Sequence, residues 1–415
     1  MKQALIAIVV LVALALTLGR PEAHKPITSP YTYNDDVFPI VRDRCGRCHV
    51  AGGVAPMSLM TAKDAVPWGE SIRTELIAGH MPPWSVDAPP GRFKNVKTLT
   101  ARELNVLLTW VTGGNPVGNL EHAPPPVSLD SDPRLGTPDL ELPLTEVTLA
   151  ADIQERTQEF TLPTAAWSRR WIRAVDFLPG TPAVVRSATI FVKPTGASGP
   201  DGNATPPERV LAVWVPGDDP VPLDDAAFHV PASAEIAVRV HYKKTWEYER
   251  MPMTDRSRIG VYFAAGPAPE VRALTMSFGA QPPSQGFGEP RRSSPDQPAS
   301  AGGDSSAGSP RRLSFSRVVE EDLQALALYS DGGLADADVH VEAIRPDGSR
   351  IELIRFRPQP DWARRYWFER SIALPRGSRI DAVATFEDAL LPPGAAPAKR
   401  ADASTLRVTL NVTGR

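Results

Sequence analysis

The chain contains two cysteines, three positions apart and followed at once by a histidine: Cys45-Gly46-Arg47-Cys48-His49. No other feature of the 415 residues limits it so tightly. A structural disulfide would have to consume this pair, because no third cysteine exists. Zinc would need further cysteines or several clustered histidines. A redox-active pair is normally embedded in an alternating strand–helix unit, which the surrounding sequence does not show. Covalent haem c meets the spacing. The two thiols add to the two vinyl groups of one haem, and the His49 imidazole falls beneath the iron as its proximal ligand. Such attachment takes place outside the cytoplasm, so export comes with the reading.

The N-terminus agrees with export. Met1-Lys2-Gln3 precedes an apolar run from Ala4 to Leu18, the pattern of a signal segment. The run is shorter than the roughly 20 residues a membrane span needs. Gly19-Arg20-Pro21-Glu22-Ala23 is a poor cleavage site, so residues 1–23 read either as a cleaved signal peptide or as an N-terminal anchor. The expected location is the periplasm, or a membrane surface facing it. A formal net charge of −3 gives no reason to expect a nucleic-acid partner.

Length predicts two or three domains. Asn34 or Asp35 caps a helix predicted to reach about Arg47, with Val37, Ile40 and Val41 on one face. A second helical stretch covers Ala62 to Ala78, with Pro67 near its start. Thr100 and Glu103 form a capping-box pattern before a stripe of Leu104, Leu107, Leu108 and Val111, and Gly113-Gly114-Asn115-Pro116 stops that helix. Pro124-Pro125-Pro126 begins a linker. Beyond it, short β-rich runs recur between Pro/Gly turns, among them Trp171–Phe177, Ala183–Val192, Glu235–His241, Leu323–Tyr329, Val339–Ile344 and Ile380–Phe386. This is the rhythm of all-β sandwiches. The Gly/Ser/Pro/Arg-rich segment 284–312 reads as a disordered insertion.

Candidates for the sixth iron ligand are Met57, Met60, His80 and Met81. Met81 precedes Pro82-Pro83-Trp84 in the loop before the last helix. From that place a class I cytochrome brings its methionine to the open face of the iron, and the prolines would stiffen the loop. Met81 is the expected distal ligand, since a Met/His pair raises the potential and suits electron transfer. Met57 and Met60 read as core fillers. Trp68, Trp84 and Trp110 are expected to pack near the haem.

Three segments carry a family resemblance: Ala55-Pro56-Met57-Ser58-Leu59, Ala65-Val66-Pro67-Trp68 and Met81-Pro82-Pro83-Trp84. They resemble bacterial proteins that fuse a cytochrome c domain to a copper type II, ascorbate-dependent monooxygenase-like module, similar to peptidylglycine monooxygenase. The resemblance covers nearly the whole chain after residue 23. It implies a multidomain fold: a small all-α class I cytochrome c domain at 30–120, then two tandem all-β jelly-roll sandwiches at 130–265 and 266–415. For active members it also implies two coppers. One is held by a His-His pair and a later His in an "HY" strand end, the other by a His-x-His pair and a Met.

This chain departs from that copper pattern. The strand resembling the His-His strand reads Ala183 to Val192, with Arg186 and Ser187 at the pair's positions. A guanidinium cannot deprotonate to ligate a metal. The "HY" end survives as His241-Tyr242. Asp331-Gly332-Gly333 stands at the His-x-His positions, and the last methionine is Met276. His241 is therefore a vestigial copper position, and copper is not expected. Of seven histidines, His49 belongs to the haem and His24 lies in or beside the export segment. His80, His122, His229, His241 and His340 remain. Arg186 is expected to pair with Asp331 or another acid across the domain interface.

The function expected from these features is electron transfer by an exported monohaem c-type cytochrome. It would dock to a redox protein partner or belong to a membrane-bound or periplasmic complex, with the β domains as scaffold. The alternative is a copper-dependent monooxygenase fed by the haem through a rearranged site of His229, His241 and His340. A third reading is a structural subunit whose haem has little redox role.

Overall fold

Beyond residue 139 the chain alternates apolar and polar residues with period two, and strands form where it does. Along Ala337–Ile344 every second residue is buried. The computed structural model describes residues 28–415, apart from 85, 90, 130–131, 164, 166, 194–208, 233, 278–310, 332–336, 360–361, 387–406 and 415. The expected export segment 1–23 lies outside the described residues, as does all but the end of the expected insertion 284–312.

The first β region comprises β1 (Leu140–Pro143), β2 (Val147–Leu149), β3 (Glu155–Leu162), β4 (Trp171–Leu178), β5 (Val185–Lys193), β6 (Arg209–Trp214), β7 (Phe228–His229), β8 (Glu235–Lys243), β9 (Met253–Asp255) and β10 (Arg258–Phe263). The second comprises β11 (Arg272–Ser277), β12 (Arg311–Val318), β13 (Leu323–Asp331), β14 (Ala337–Ile344), β15 (Arg350–Phe356), β16 (Arg365–Leu374), β17 (Arg379–Phe386) and β18 (Arg407–Gly414). In the first, sheet β1-β10-β4-β7 accompanies sheet β3-β8-β5-β6, with β2-β9 as a separate pair. In the second, β11-β18-β13-β16 accompanies β12-β17-β14-β15. Leave out the β2-β9 pair and number each region's strands in chain order. Both regions then give sheets 1-8-3-6 and 2-7-4-5, the double Greek key of a jelly roll. The two β regions are topological repeats, although their sequences show no repeat.

Each sandwich has its own core. Ile172, Ile259 and Val261 meet Ile190, Val238 and Tyr242 between the sheets of the first. Leu328, Leu374 and Leu410 meet Val341, Phe356 and Ile380 in the second. Full burial of such a side chain contributes about 1.5–3 kcal/mol.

The expected all-α class I cytochrome c domain at 30–120 does not form. The structure is mostly β-sandwich, and among the described residues the longer helices are few: α1 (Phe38–Arg44), α2 (Gly69–Ile77) and α3 (Ala101–Thr112). Three local causes shorten them. A π-helical turn occupies Tyr33–Val37, and α1 starts only where Pro39 can take an early helical position. The stretch predicted as one helix over Ala62–Ala78 breaks at Pro67 into one turn (Ala62–Ala65), a 3₁₀ turn (Val66–Trp68) and α2. Only α3 forms as predicted, with both hydrogen bonds of the Thr100/Glu103 capping box in place. These pieces share a small core of Tyr33, Val41, Leu59, Leu107 and Trp110.

The helical part is also tied into the second sandwich. Between α2 and α3 the chain runs along β15 and β16 as a strap. Val86 bridges to Phe356 and Phe93 to Phe368. The Asp87 N–H donates to the Arg355 carbonyl at 3.0 Å, and the Lys94 N–H donates to the Trp367 carbonyl at 2.8 Å. Phe93, 3% exposed, stacks on Phe368 with ring centroids 5.3 Å apart, and both belong to the second sandwich's core. Removing that ring leaves a cavity in a β core, so Phe93→Ala is expected to destabilise the second sandwich by about 3–5 kcal/mol. Urea unfolding followed by far-ultraviolet circular dichroism checks this. A loss confined to the helical signal would contradict the placement.

Candidate functional site

The cysteine–histidine motif begins where α1 ends. The Cys45 N–H still donates to the Val41 carbonyl at 2.9 Å. The Cys45 carbonyl then accepts from the N–H groups of Cys48 (3.0 Å) and His49 (2.8 Å), so the motif folds as one tight turn. Gly46 is required there, because a Cβ would come 2.6 Å from the Arg42 carbonyl oxygen. Gly53 has the same role against the Cys48 carbonyl, which a Cβ would approach to 2.3 Å. The Leu59 N–H donates to the His49 carbonyl at 3.0 Å and closes the loop behind the imidazole.

His49 is buried, and its Nδ1 lies 3.3 Å from the Met57 carbonyl oxygen. A carbonyl only accepts, so this contact assigns the proton to Nδ1 and leaves Nε2 with its lone pair free. Burial lowers the His49 pKa, against the opposing pull of the Met57 bond, which favours the neutral form that ligates a metal. The thiols behave oppositely to a redox pair. Burial, reinforced by the neighbouring Cys48, pushes Cys45 up to about 12. Burial pushes Cys48 up to about 11, with Arg364 opposing. A reactive CxxC needs its thiol lowered. Among the described residues no three His, Cys, Asp or Glu side chains come together to hold a metal ion, and Cys45, Cys48 and His49 are no exception. Zinc needs such convergence. Haem does not, because the thiols meet the ring edge and the imidazole meets its centre. The residues present therefore fit the proximal half of a covalent haem site.

The two sandwiches close around this turn. Arg47, inside the motif, donates to the Gly217 carbonyl at 3.2 Å and also pairs with Asp219. Lys97 Nζ lies 3.0 Å from the other Asp219 oxygen. Burial alone would raise Asp219, but Arg47 and Lys97 hold its carboxyl below the usual range. Next to it, Asp218 meets Arg364 of the second sandwich at 3.1 Å. Burial pushes Asp218 up to about 6 although Arg364 opposes it. Arg186, expected to seek Asp331, donates to the Val54 carbonyl at 2.8 Å; the Asp331 side chain lies outside the described residues. Beside the motif lies a cavity of about 240 Å³ lined by Gly46, Arg47, Val54, Phe177 and Trp214.

The other expected residues are dispersed. Met81 is 37% exposed, and the contact described for it is its N–H to the Glu75 carbonyl at 3.4 Å. His80 turns outward to Glu75 at 3.0 Å. Met60 is core. Trp110 is buried in that core, Trp68 packs at its margin, and Trp84 leans instead on the second sandwich. His241 Nδ1 is 3.2 Å from the Thr157 hydroxyl, and its Nε2 is 3.3 Å from Glu155. His229 packs at a tilt against Trp171, His340 pairs with Glu352, and His122 pairs with Asp35. His229, His241 and His340 are not gathered into a ligand set. The junction residues Arg47, Lys97, Asp218, Asp219 and Arg364 had no signal in the sequence, because charged residues of this kind usually mark solvated surface.

No protein-family profile matches the chain. No curated protein matches it either. Several solved structures show a distant likeness. The major capsid protein P2 of bacteriophage PM2 is 10% identical over 66% of this chain and 97% of its own, with a TM-score of 0.24. Allantoicase is 11% identical over 64% and 78%, with a TM-score of 0.18. The CBM22-1–CBM22-2 tandem domain of Paenibacillus barcinonensis Xyn10C is 9% identical over 66% and 92%, with a TM-score of 0.17. At these TM-scores none speaks to the activity of this chain. Among the described residues no helix is long and apolar enough to cross a membrane.

Asp176, which lines the cavity and is 3% exposed, supplies a pH test. Burial pushes its pKa up to about 6, although the Arg134 N–H bonds its carboxylate. A folded-state pKa above the unfolded value stabilises the protein fully at low pH, and that benefit is lost as pH rises through about 6. Asp176→Asn is therefore expected to exceed the wild type in stability above pH ~6, by on the order of 1–3 kcal/mol, with the gap narrowing below pH ~4. Urea unfolding across that range checks it, and a gap independent of pH would contradict the assignment.

Proposed function

We propose that this chain is an exported, monohaem c-type electron carrier whose two jelly rolls hold the haem-bearing turn in a fixed place. The observation that carries the reading is His49. It follows directly on the chain's two cysteines, is buried, and is held through Nδ1 by the Met57 carbonyl so that Nε2 is free. A second nitrogen tied to a backbone carbonyl is the usual way a ligating imidazole is oriented. When bound, the haem supplies a one-electron couple.

The protein's own residues do the rest. Cys45 and Cys48 would hold the haem through thioethers, and His49 would be its proximal ligand. Met81 would supply the distal ligand. Gly217 of the first sandwich lies beside Cys48, where a Cβ would come 3.8 Å from the sulfur. A redox partner protein or a membrane-bound complex would receive the electrons. The compartment proposed is the periplasm, or a membrane face open to it. No described feature favours copper oxygenation, since His229, His241 and His340 stand apart with local partners.

Metal analysis of the purified full chain, produced with haem-attachment machinery, tests the reading. Roughly one iron per chain, a reversible reduction and no stoichiometric copper are expected, and His49→Ala should lose the proximal ligation. Stoichiometric copper together with oxygen-dependent product formation would overturn it.

A further inference from the structure

The loop that would bring a distal ligand to the haem does not stand alone. Directly after Met81, residues Pro82, Pro83 and Trp84 line a small cavity together with Cys48 and with Arg364 of the second sandwich. The Arg364 guanidinium lies 5.2 Å from the centre of the Trp84 ring, and Arg364 itself is only 5% exposed. Trp84 also meets Tyr366 in a T-shaped contact at 5.3 Å. Beyond Trp84 the strap enters the second sandwich's core through Val86 and Phe93. The loop is therefore gripped three residues past Met81, by a different module from the one that carries Cys45 to His49.

We propose that the second sandwich, through Arg364 and Tyr366 acting on Trp84, positions the Met81 loop and so governs the distal ligation of the haem. This rests on the haem reading above. A cation over an indole face is favourable, and more so where water is excluded. Asp218 fixes the same Arg364 from the first sandwich, so Trp84 is seated by a chain of contacts spanning both β modules. Trp84, Arg364 and Tyr366 are positioning residues, and none of them is a ligand.

Two readouts on the full chain test the proposal, one of them independent of haem. In a Cys45→Ala/Cys48→Ala background, hydrogen exchange is followed at the Asp87 and Lys94 amides. Trp84→Ala and Arg364→Met are expected to speed exchange there, while Trp84→Phe restores protection. In the haem-bearing chain, magnetic circular dichroism in the near infrared reports methionine on ferric iron, and carbon monoxide binding by the ferrous protein reports an open distal position. Met81→Leu should lose the methionine signature and bind carbon monoxide. Trp84→Ala and Arg364→Met should do the same in part or in full, with haem still covalently attached and the β circular-dichroism signal intact. If both variants keep the wild-type spectrum and exchange rates, the proposal is overturned. It is also overturned, with the haem reading intact, if haem is attached but Met81→Leu changes nothing. A wild-type chain that never acquires haem sinks both.

Discussion

Two adjacent carboxylates, Asp218 and Asp219, stand where the three parts of the chain meet. Asp219 binds Arg47 of the Cys45–His49 turn and Lys97 of the strap, while Asp218 binds Arg364 of the second sandwich. The pairs differ in kind. Asp219 is stabilised in its charged form by two cations, whereas burial raises the Asp218 pKa to about 6 against the opposing pull of Arg364. Arg364 is nearly out of water, so removing its carboxylate partner strands a guanidinium at a cost of about 3–5 kcal/mol. Apolar replacements could hold the same surfaces together as firmly. What the charges add is position, because a displacement of a few ångströms separates every pair at once.

That constraint connects the fold to the proposed chemistry. A haem held only by Cys45, Cys48 and His49 would sit on a short turn between α1 and a glycine-rich loop. Here the turn is clamped from outside, by Gly217 and Asp219 through Arg47 and by Arg186 through the Val54 carbonyl. Arg186 braces the loop that follows the motif through the Val54 carbonyl. The first jelly roll thus holds the Cys45–His49 turn directly, and the second reaches it through Arg364 and Asp218.

Much of the β architecture was legible because strand burial leaves a period-two trace. Each of the runs Trp171–Phe177, Ala183–Val192, Val339–Ile344 and Ile380–Phe386 falls on a strand within two residues at either end. Strands β1, β2, β7, β9 and β11 escaped because they are short or carry weak alternation, and β12 lies against the segment read as an insertion. The helical part was over-read. A capping box and an apolar stripe define α3, but Pro39 and Pro67 act on the backbone more strongly than the apolar spacing suggests. The motif marked the site, but the helix expected to reach about Arg47 ends at Arg44 and the motif itself folds as a turn. Its clamp could not, since Arg47, Lys97 and Arg364 find their carboxylates across gaps of more than a hundred residues.

The most direct test of the central claim is the intact mass of the full chain, purified from the cell envelope and measured under denaturing conditions. The account requires a mass increased by one haem that survives denaturation and acid–acetone extraction, and that disappears in Cys45→Ser/Cys48→Ser. A chain of unmodified mass with two alkylatable thiols, from cells that attach haem to other proteins, would contradict it.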